Sequence, residues 1–367
     1  MSNRRTVIFA LVGLLIFLTI CVTACGGRKP QGTTSSERIS IRVLFAGSLI
    51  IPFDQLKTEF EKAHPDIEVN MEGHGSIQVI RYISDLQEQV DVAVTADHSL
   101  IPMLLYSTED PNSGRFYADW YIIFATNEMA LAYTENSSHA TEITSDNWVE
   151  FMNHPGVRVG AADPRIDANG YRALMAVKLA ERVYDRPNLF YDTFGTEFRV
   201  PIRVAHVNDM SQIKVPEILE TKKGAHIVLR PYSVQLLPLL QTGEIDYAFE
   251  YMSVIEQHGL RCVTFPNEIN LSDPASADEY ARVEVALDFQ RFASVKPQFT
   301  GEPIRYAATI PTNAGHPEAA ETFLTFLLGS EGQRIMAENH QPTISPALAD
   351  NFEALPATVR AYCVPLD

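Results

Sequence analysis

The apolar positions of the chain switch repeatedly between a strand period and a helix period from Ile39 onward. Apolar side chains recur at every second residue over 39–45 and stop at the small-residue turn 46–48, which predicts a strand. A helix is predicted over 53–60, where apolar side chains share one face until the His-Pro pair at 64–65 ends the run. Strands are then predicted at 67–70 and 90–94, with a helix holding apolar positions 80, 83 and 86 between them. Strands that alternate with helices predict an α/β domain with a mainly parallel sheet.

The same alternation continues after a long apolar segment at 121–133, which is long enough to leave one domain and enter another. Beyond it, strands are predicted at 157–160, 202–204, 227–229, 245–249 and 304–310, and helices from about 170, over 233–241 and over 317–328. We therefore expect two α/β units. The aromatic residues expected in their cores include Phe53, Phe60, Trp120, Trp148 and Phe323.

The first residues carry the pattern of a lipoprotein signal. Two arginines precede an apolar run at 7–20, which is shorter than the roughly 20 residues of a membrane-spanning helix. Small residues flank Cys25, so we predict a signal peptide over 1–24, lipid on Cys25 and a flexible tether over 25–38. The protein would then be extracytoplasmic, anchored to the outer face of the cell membrane. The alternative is an ordinary secretory signal whose cysteine is incidental.

Charge and cysteine content exclude several classes of function. The formal charge of −17 becomes −19 if residues 1–24 are removed, because two arginines and no acid leave with them. That balance argues against a nucleic-acid partner, which needs a basic face. No CxxC or HExxH pattern supports a zinc site. Cys262 and Cys363 could form a disulfide or remain two buried thiols.

Three serines are candidate binding residues. Ser48 and Ser76 follow the first two predicted strands, at the edge where ligands sit in α/β sheets. Ser233 opens a predicted helix after Pro231. Hydroxyl groups and helix N-terminal N–H groups suit a dianion and require no basic residue. Each serine alone is equally the ordinary helix cap.

Six segments, in order, resemble the tungstate/molybdate-binding family of ABC-importer solute-binding proteins. They are FAGSLIIPFDQLKTEFEKAHPDIEV at 45–69, HGSIQVIRYISDL at 74–86, YADWYIIFATNEMALAY at 117–133, DPRIDANGYRALM at 163–175, LRPYSVQLLPLLQTGEIDYAFEYMSV at 229–254 and PIRYAATIP at 303–311. The resemblance covers most of the chain from about Ile39. It implies a type II periplasmic-binding-protein fold, with lobe I over 39–125 plus 266–367, lobe II over 126–265 and hinge strands between them.

The resemblance also implies an oxyanion site between the lobes. The residues that match its hydrogen-bonding positions are Ser48, Ser76, Ser233 and Tyr251. Asp167 and Glu250 match two carboxylates that, in the tungstate-type branch, approach the metal centre itself. Asp163 is a rival to Asp167. The family's usual Asp-Pro-Cys-Gly-Tyr-Arg is replaced by DANGYR at 167–172, so the proline and the cysteine are absent.

Carboxylates beside an anion need a separate reason, because charge repulsion in a partly dry cleft is costly. Tungsten(VI) and molybdenum(VI) can take up further oxygen ligands, whereas sulfur and phosphorus centres cannot, so the pair would select the metal oxyanions. Without such contact, Asp167 would cap a turn and Glu250 would be a solvated charge at a strand end.

The partners implied are a tungstate or molybdate ligand and an ABC permease in the membrane, with no cofactor and with the protein as a monomer. Preference between the two oxyanions is left open, as is four- or six-fold coordination. The alternatives are a sulfate or phosphate binder and an enzyme on the same two-lobed fold. For an enzyme, the chain lacks a GxSxG nucleophile elbow and the third glycine of a dinucleotide motif.

Overall fold

The structure, a computed structural model, describes residues 38–287 and 297–366. The predicted signal peptide, Cys25 and all of the tether except Arg38 lie outside these residues. The strands are β1 Ile39–Ala46, β2 Ile67–His74, β3 Val92–Thr95, β4 Tyr121–Thr126, β5 Met129–Tyr133, β6 Val159–Ala162, β7 Arg203–Val207, β8 Met210–Val215, β9 Ile227–Arg230, β10 Tyr247–Tyr251, β11 Arg261–Thr264, β12 Val283–Leu287, β13 Gln298–Thr300, β14 Arg305–Thr309, β15 Thr343–Asp350 and β16 Cys363–Pro365.

The α-helices are α1 Ile50–Ala63, α2 Ser76–Ser84, α3 Trp148–Phe151, α4 Ala168–Val183, α5 Leu237–Thr242, α6 Met252–Gln257, α7 Ala277–Tyr280, α8 Pro317–Leu328, α9 Ser330–Glu338 and α10 Ala357–Arg360. Short 3-10 turns at Gly47–Leu49 and Ser233–Leu236 lead into α1 and α5. Helix α5 ends at Gly243, as predicted, in the left-handed conformation with φ +72° that glycine adopts without strain. Across the ranges that the structure describes, no helix combines the length and the apolar character needed to cross a bilayer.

The strands listed above form three sheets. The strand order is β16-β15-β4-β14-β3-β1-β2 in the seven-stranded sheet, β11-β5-β10-β6-β9 in the five-stranded sheet and β13-β12-β8-β7 in the four-stranded sheet. Helix α4 contacts β6 and β10 of the five-stranded sheet and β12 of the four-stranded sheet, so it joins the two smaller sheets. We refer to the seven-stranded sheet with its helices as lobe I and to the other two sheets with theirs as lobe II.

Strand direction differs from the prediction of mainly parallel sheets. Strand β1 pairs in parallel with β2 and β3, as expected for consecutive strand-helix units. Strand β14, however, runs antiparallel to β3 and β4, and β5 runs antiparallel to β10 and β11. The sheets are therefore mixed. The prediction was wrong because the period of apolar residues in a strand carries no information about its direction.

The chain passes from the seven-stranded to the five-stranded sheet directly after β4. Strand β4 ends at Thr126 in the seven-stranded sheet and β5 begins at Met129 in the five-stranded sheet, so only Asn127 and Glu128 lie between them. The predicted boundary at 265/266 assigns β12 and β13 to lobe I, whereas β12 pairs with β8 in the four-stranded sheet. Strand β14 then returns to the seven-stranded sheet.

The predicted core is confirmed in its main features. All five aromatic residues expected inside are buried, and the rings of Phe60 and Phe323 meet edge to face at 5.3 Å between centroids. Helix α1 buries the predicted face and ends before His64. Leu86 was expected in the following helix but lies beyond its end and is 55% exposed. Cys262 on β11 and Cys363 on β16 are two separate free thiols.

Candidate functional site

The two serine turns of lobe I lie side by side, because β1 and β2 are adjacent parallel strands that end at Ala46 and His74. Ser48 sits in the turn that leads into α1, and Ser76 is the first residue of α2. Both are buried. The Ser48 Oγ is 2.8 Å from the Tyr306 hydroxyl, and the Ser76 Oγ accepts a hydrogen bond from the Ala96 N–H at 2.9 Å. The first N–H groups of a helix have no partner within it, so both turns present donors.

Asp167 caps helix α4 in lobe II. Its Oδ1 accepts from the Asn169 N–H and its Oδ2 from the Ser233 N–H, each at 3.0 Å. The structure therefore brings Asp167 and Ser233 together, and the Ser233 N–H predicted to face a ligand donates to this carboxylate. Burial raises the pKa of Asp167 to about 6, against the opposing effect of the two N–H groups.

Glu250 is completely buried on β10, so it is not the solvated strand-end charge of the alternative interpretation. Its Oε1 accepts from the Tyr251 N–H at 2.8 Å and from the Asn169 Nδ2 at 3.4 Å. Its Oε2 has no hydrogen-bond partner in the described part of the chain. Burial raises the pKa of Glu250 to about 8, and the neighbouring Asp167 charge acts in the same direction. An unpartnered buried carboxylate oxygen is costly, so it marks a place where a ligand atom could be accommodated.

Asp163, the rival to Asp167, is engaged elsewhere. Its Oδ1 accepts from the Arg165 N–H at 2.9 Å, and its Oδ2 lies 2.6 Å from an Arg165 guanidinium nitrogen. This ion pair is formed within one loop of lobe II. Asp167, by contrast, accepts directly from Ser233 and shares its partner Asn169 with Glu250.

The Tyr251 hydroxyl accepts a hydrogen bond from Arg172 at 2.9 Å. The same guanidinium nitrogen donates to the Ala96 carbonyl in lobe I at 2.6 Å, and a second nitrogen is 3.4 Å from Asp97 Oδ2. Arg172 is buried, so this cation links the lobes in a dry environment. The charge of Arg172 is thus paired with Asp97 of the other lobe. Arg230 instead donates to the neighbouring Leu229 carbonyl.

The lobes also touch through backbone atoms at the start of α2. The Ile77 N–H donates to the Ile166 carbonyl at 3.2 Å, one residue before Asp167. A Cβ atom added at Gly75 would lie 2.5 Å from the same carbonyl oxygen, which is closer than real Cβ atoms approach. A Cβ at Gly47 would meet its neighbours at 3.6 Å, an ordinary contact.

All six predicted ligand-binding residues are thus buried, and hydrogen bonds or shared partners connect five of them. Ser48 belongs to a separate hydrogen-bonded chain through Tyr306. Sequence reasoning missed Tyr306, Asn127 and Asn169. Tyr306 lies on β14, 258 positions after its partner Ser48, and its ring centroid is 6.2 Å from that of Tyr251. The strand pattern at 304–310 predicts β14, but nothing in the pattern identifies the partner of its tyrosine.

The chain is similar to known solute-binding proteins over most of its length. A family model described as bacterial extracellular solute-binding protein matches residues 41–340. Molybdate/tungstate-binding protein WtpA of Thermococcus kodakarensis is 35% identical to the chain over 350 residues, which are 92% of this chain and 93% of that protein.

Two solved structures show the same fold at low identity. The periplasmic molybdate-binding protein of Azotobacter vinelandii has a TM-score of 0.51 at 14% identity, covering 82% of this chain and 98% of that one. The sulfate-binding protein SubI of Mycobacterium tuberculosis H37Rv has a TM-score of 0.53 at 15% identity, covering 89% and 93% respectively. The predicted two-lobed type II periplasmic-binding-protein fold is confirmed.

Replacing Glu250 with glutamine is expected to stabilise the ligand-free protein at high pH. The folded pKa of about 8 lies above the ordinary value of 4.5, so the stability associated with the protonated form is present below the ordinary value and is lost as pH rises through about 8. Glutamine remains neutral, and the gain in unfolding free energy above pH 8 should be roughly 1–3 kcal/mol. Urea unfolding at pH 5 to 9 measures it. The exposed Glu135→Gln is the matched control and should follow the wild type; equal pH dependence of E250Q and wild type would contradict the expectation.

Proposed function

The chain belongs to the bacterial extracellular solute-binding protein family, and from that premise we propose that it binds tungstate or molybdate between its lobes and delivers the oxyanion to an ABC permease. The observation that carries the proposal is the pair of buried carboxylates, Asp167 and Glu250, placed beside hydroxyl and N–H donors. The relative in Thermococcus kodakarensis, aligned over nearly its whole length, is named for the same two ligands.

The donors account for the anionic oxygens. Ser48 and Ser76 present hydroxyl groups at two helix starts, where the helix dipole favours negative charge. Because Arg172 donates to the Tyr251 oxygen, the phenol hydrogen of Tyr251 is available to donate to a ligand. A tetrahedral dianion would thus be held without a direct cation contact. The buried Arg172 charge would lie behind Tyr251, hydrogen-bonded to its hydroxyl.

The carboxylates account for the choice of central atom. The Glu250 Oε2 has no hydrogen-bond partner among the residues described, so it can approach an electropositive metal centre without breaking an existing bond. The Asp167 oxygens each accept one hydrogen bond and retain a further lone-pair site. Two such ligands would raise tungsten(VI) or molybdenum(VI) from four to six oxygens. Sulfate, which has no hydrogen to donate and cannot take further oxygen ligands, would meet only repulsion from ionised carboxylates, which disfavours sulfate as the ligand.

The protein's location completes the proposal. Lipid on Cys25 and a tether over 25–38 would hold a monomeric, non-catalytic binder at the outer face of the cell membrane, within reach of its permease. No cofactor is required for this role, because the lobes themselves supply the coordinating atoms. Capture in an open form and stabilisation of the closed form by ligand contacts to both lobes then follow from the two-lobed fold.

Calorimetric titration of the wild-type protein tests ligand class. Tungstate and molybdate should bind at least about 100-fold more tightly than sulfate, which is roughly 2.7 kcal/mol of selectivity. Glu250→Gln should weaken tungstate binding by roughly tenfold or more while leaving sulfate binding no weaker, since the substitution removes a metal ligand and keeps a neutral side chain of the same shape. X-ray absorption at the tungsten edge should report six oxygens for wild type and fewer for E250Q. Sulfate binding as tight as tungstate binding would refute the six-coordinate site.

Closure of the lobes can be tested with a matched pair of glycine substitutions. Gly75→Ala should weaken tungstate binding by roughly tenfold or more, because the added Cβ collides with the Ile166 carbonyl across the cleft and holds the lobes apart. Gly47→Ala, at the equivalent position before the other serine, should bind within about twofold of wild type. Small-angle scattering with tungstate should show a larger radius of gyration for G75A than for G47A. Equal affinity and equal compaction of the two variants would show that this contact does not control closure.

A further inference from the structure

We infer that Tyr306 and Asn127 are positioning residues of the binding site, which fix the Ser48 hydroxyl as a hydrogen-bond donor toward the ligand. This inference rests on the proposed function and extends it, since it assigns a role to two residues outside the predicted ligand contacts. It depends on the direction of each hydrogen bond in one buried chain of contacts, from Asn127 to Tyr306 to Ser48.

The orientation of the Asn127 amide is set by the backbone. Its Oδ1 accepts from the N–H groups of Glu128 at 3.0 Å and Ser253 at 3.3 Å, and a backbone N–H can only donate. The amide therefore cannot be reversed, and its Nδ2 faces three oxygens: Ser253 Oγ at 2.7 Å, the Tyr306 hydroxyl at 3.2 Å and Gln341 Oε1 at 3.4 Å. The two Nδ2 hydrogens are shared among these three oxygens, and because Nδ2 cannot accept, Asn127 can act only as a donor toward Tyr306.

The direction of the next bond follows from burial. Tyr306 is completely buried, and its oxygen accepts from Asn127. Its own hydrogen then needs an acceptor, because a buried phenol hydrogen without one is costly. In the part of the chain that the structure describes, that acceptor is the Ser48 Oγ at 2.8 Å. Tyr306 therefore donates to Ser48, which leaves the Ser48 hydrogen free to donate.

The hydroxyl of the second serine, Ser76, is also an acceptor within the protein. The Ser76 Oγ accepts from the Ala96 N–H, so its hydroxyl hydrogen is also left to donate. Two hydroxyls committed as donors match an oxyanion that carries no hydrogen of its own. The two serines thus each present a hydroxyl hydrogen to an unprotonated oxygen of the ligand.

A double-mutant cycle tests the role of Tyr306. Tyr306→Phe should weaken tungstate binding roughly fivefold, because the Ser48 hydroxyl loses the bond that orients it. In a Ser48→Ala background the same substitution should change the dissociation constant by less than about twofold, because the group it positions is absent. Tyr117→Phe is the matched control, since it removes a buried hydroxyl that has no hydrogen-bond partner among the described residues. A purely structural role for Tyr306 predicts the same loss in both backgrounds and would overturn the inference.

A second measurement needs no ligand. The side-chain amide resonance of Asn127 should shift in Tyr306→Phe and stay unchanged in Tyr117→Phe, because only the first substitution removes an acceptor from Nδ2. An unmoved Asn127 resonance would overturn the inference even if binding weakened. If the wild type bound neither tungstate nor molybdate, the proposed function would fail, while this resonance would still decide whether the chain from Asn127 to Tyr306 exists.

Discussion

The burial of two carboxyl groups next to each other is the constraint on which this site depends. Moving one carboxylate out of water is expensive, and a second nearby raises the cost further. Hydrogen bonds from backbone N–H groups offset part of this cost. The N–H groups of Ser233 and Asn169 donate to Asp167, and that of Tyr251 donates to Glu250. One oxygen of Glu250 stays without a partner in the described residues. A ligand atom that contacts this oxygen would supply the partner that the described residues do not.

A positive charge, that of Arg172, is buried in the same region. Arg172 is buried between the lobes and donates at once to the Ala96 carbonyl and to the Tyr251 hydroxyl. A cation in this position lowers the cost of burying the Asp167 charge. It also ties the geometry of one lobe's binding residue to the backbone of the other, so the separation of the lobes and the orientation of Tyr251 are physically linked.

Sequence patterns predicted much of this architecture, for identifiable reasons. Local periodicity located β1, α1 and β14, and the apolar segment at 121–133 marked the passage between lobes. Short strands with few apolar residues, including β8, β13 and β16, were missed because their formation depends on pairing with distant strands. In the candidate site, Ser48, Ser76, Asp167 and Glu250 were predicted from the family resemblance. Tyr306 could not be found this way, because its role comes from a contact that only the folded sheet creates.

The position of β14 in the chain has a consequence for biosynthesis. All strands of the five-stranded sheet come from residues 129–264, whereas the seven-stranded sheet needs strands that begin only at Arg305. A chain that emerges from the ribosome N-terminus first can therefore complete the five-stranded sheet while the other remains unfinished. Ser48 is among the early residues to appear, yet its partner Tyr306 arrives more than 250 residues later. The order of synthesis thus delays the hydrogen bond between Ser48 and Tyr306 until most of the protein has been made.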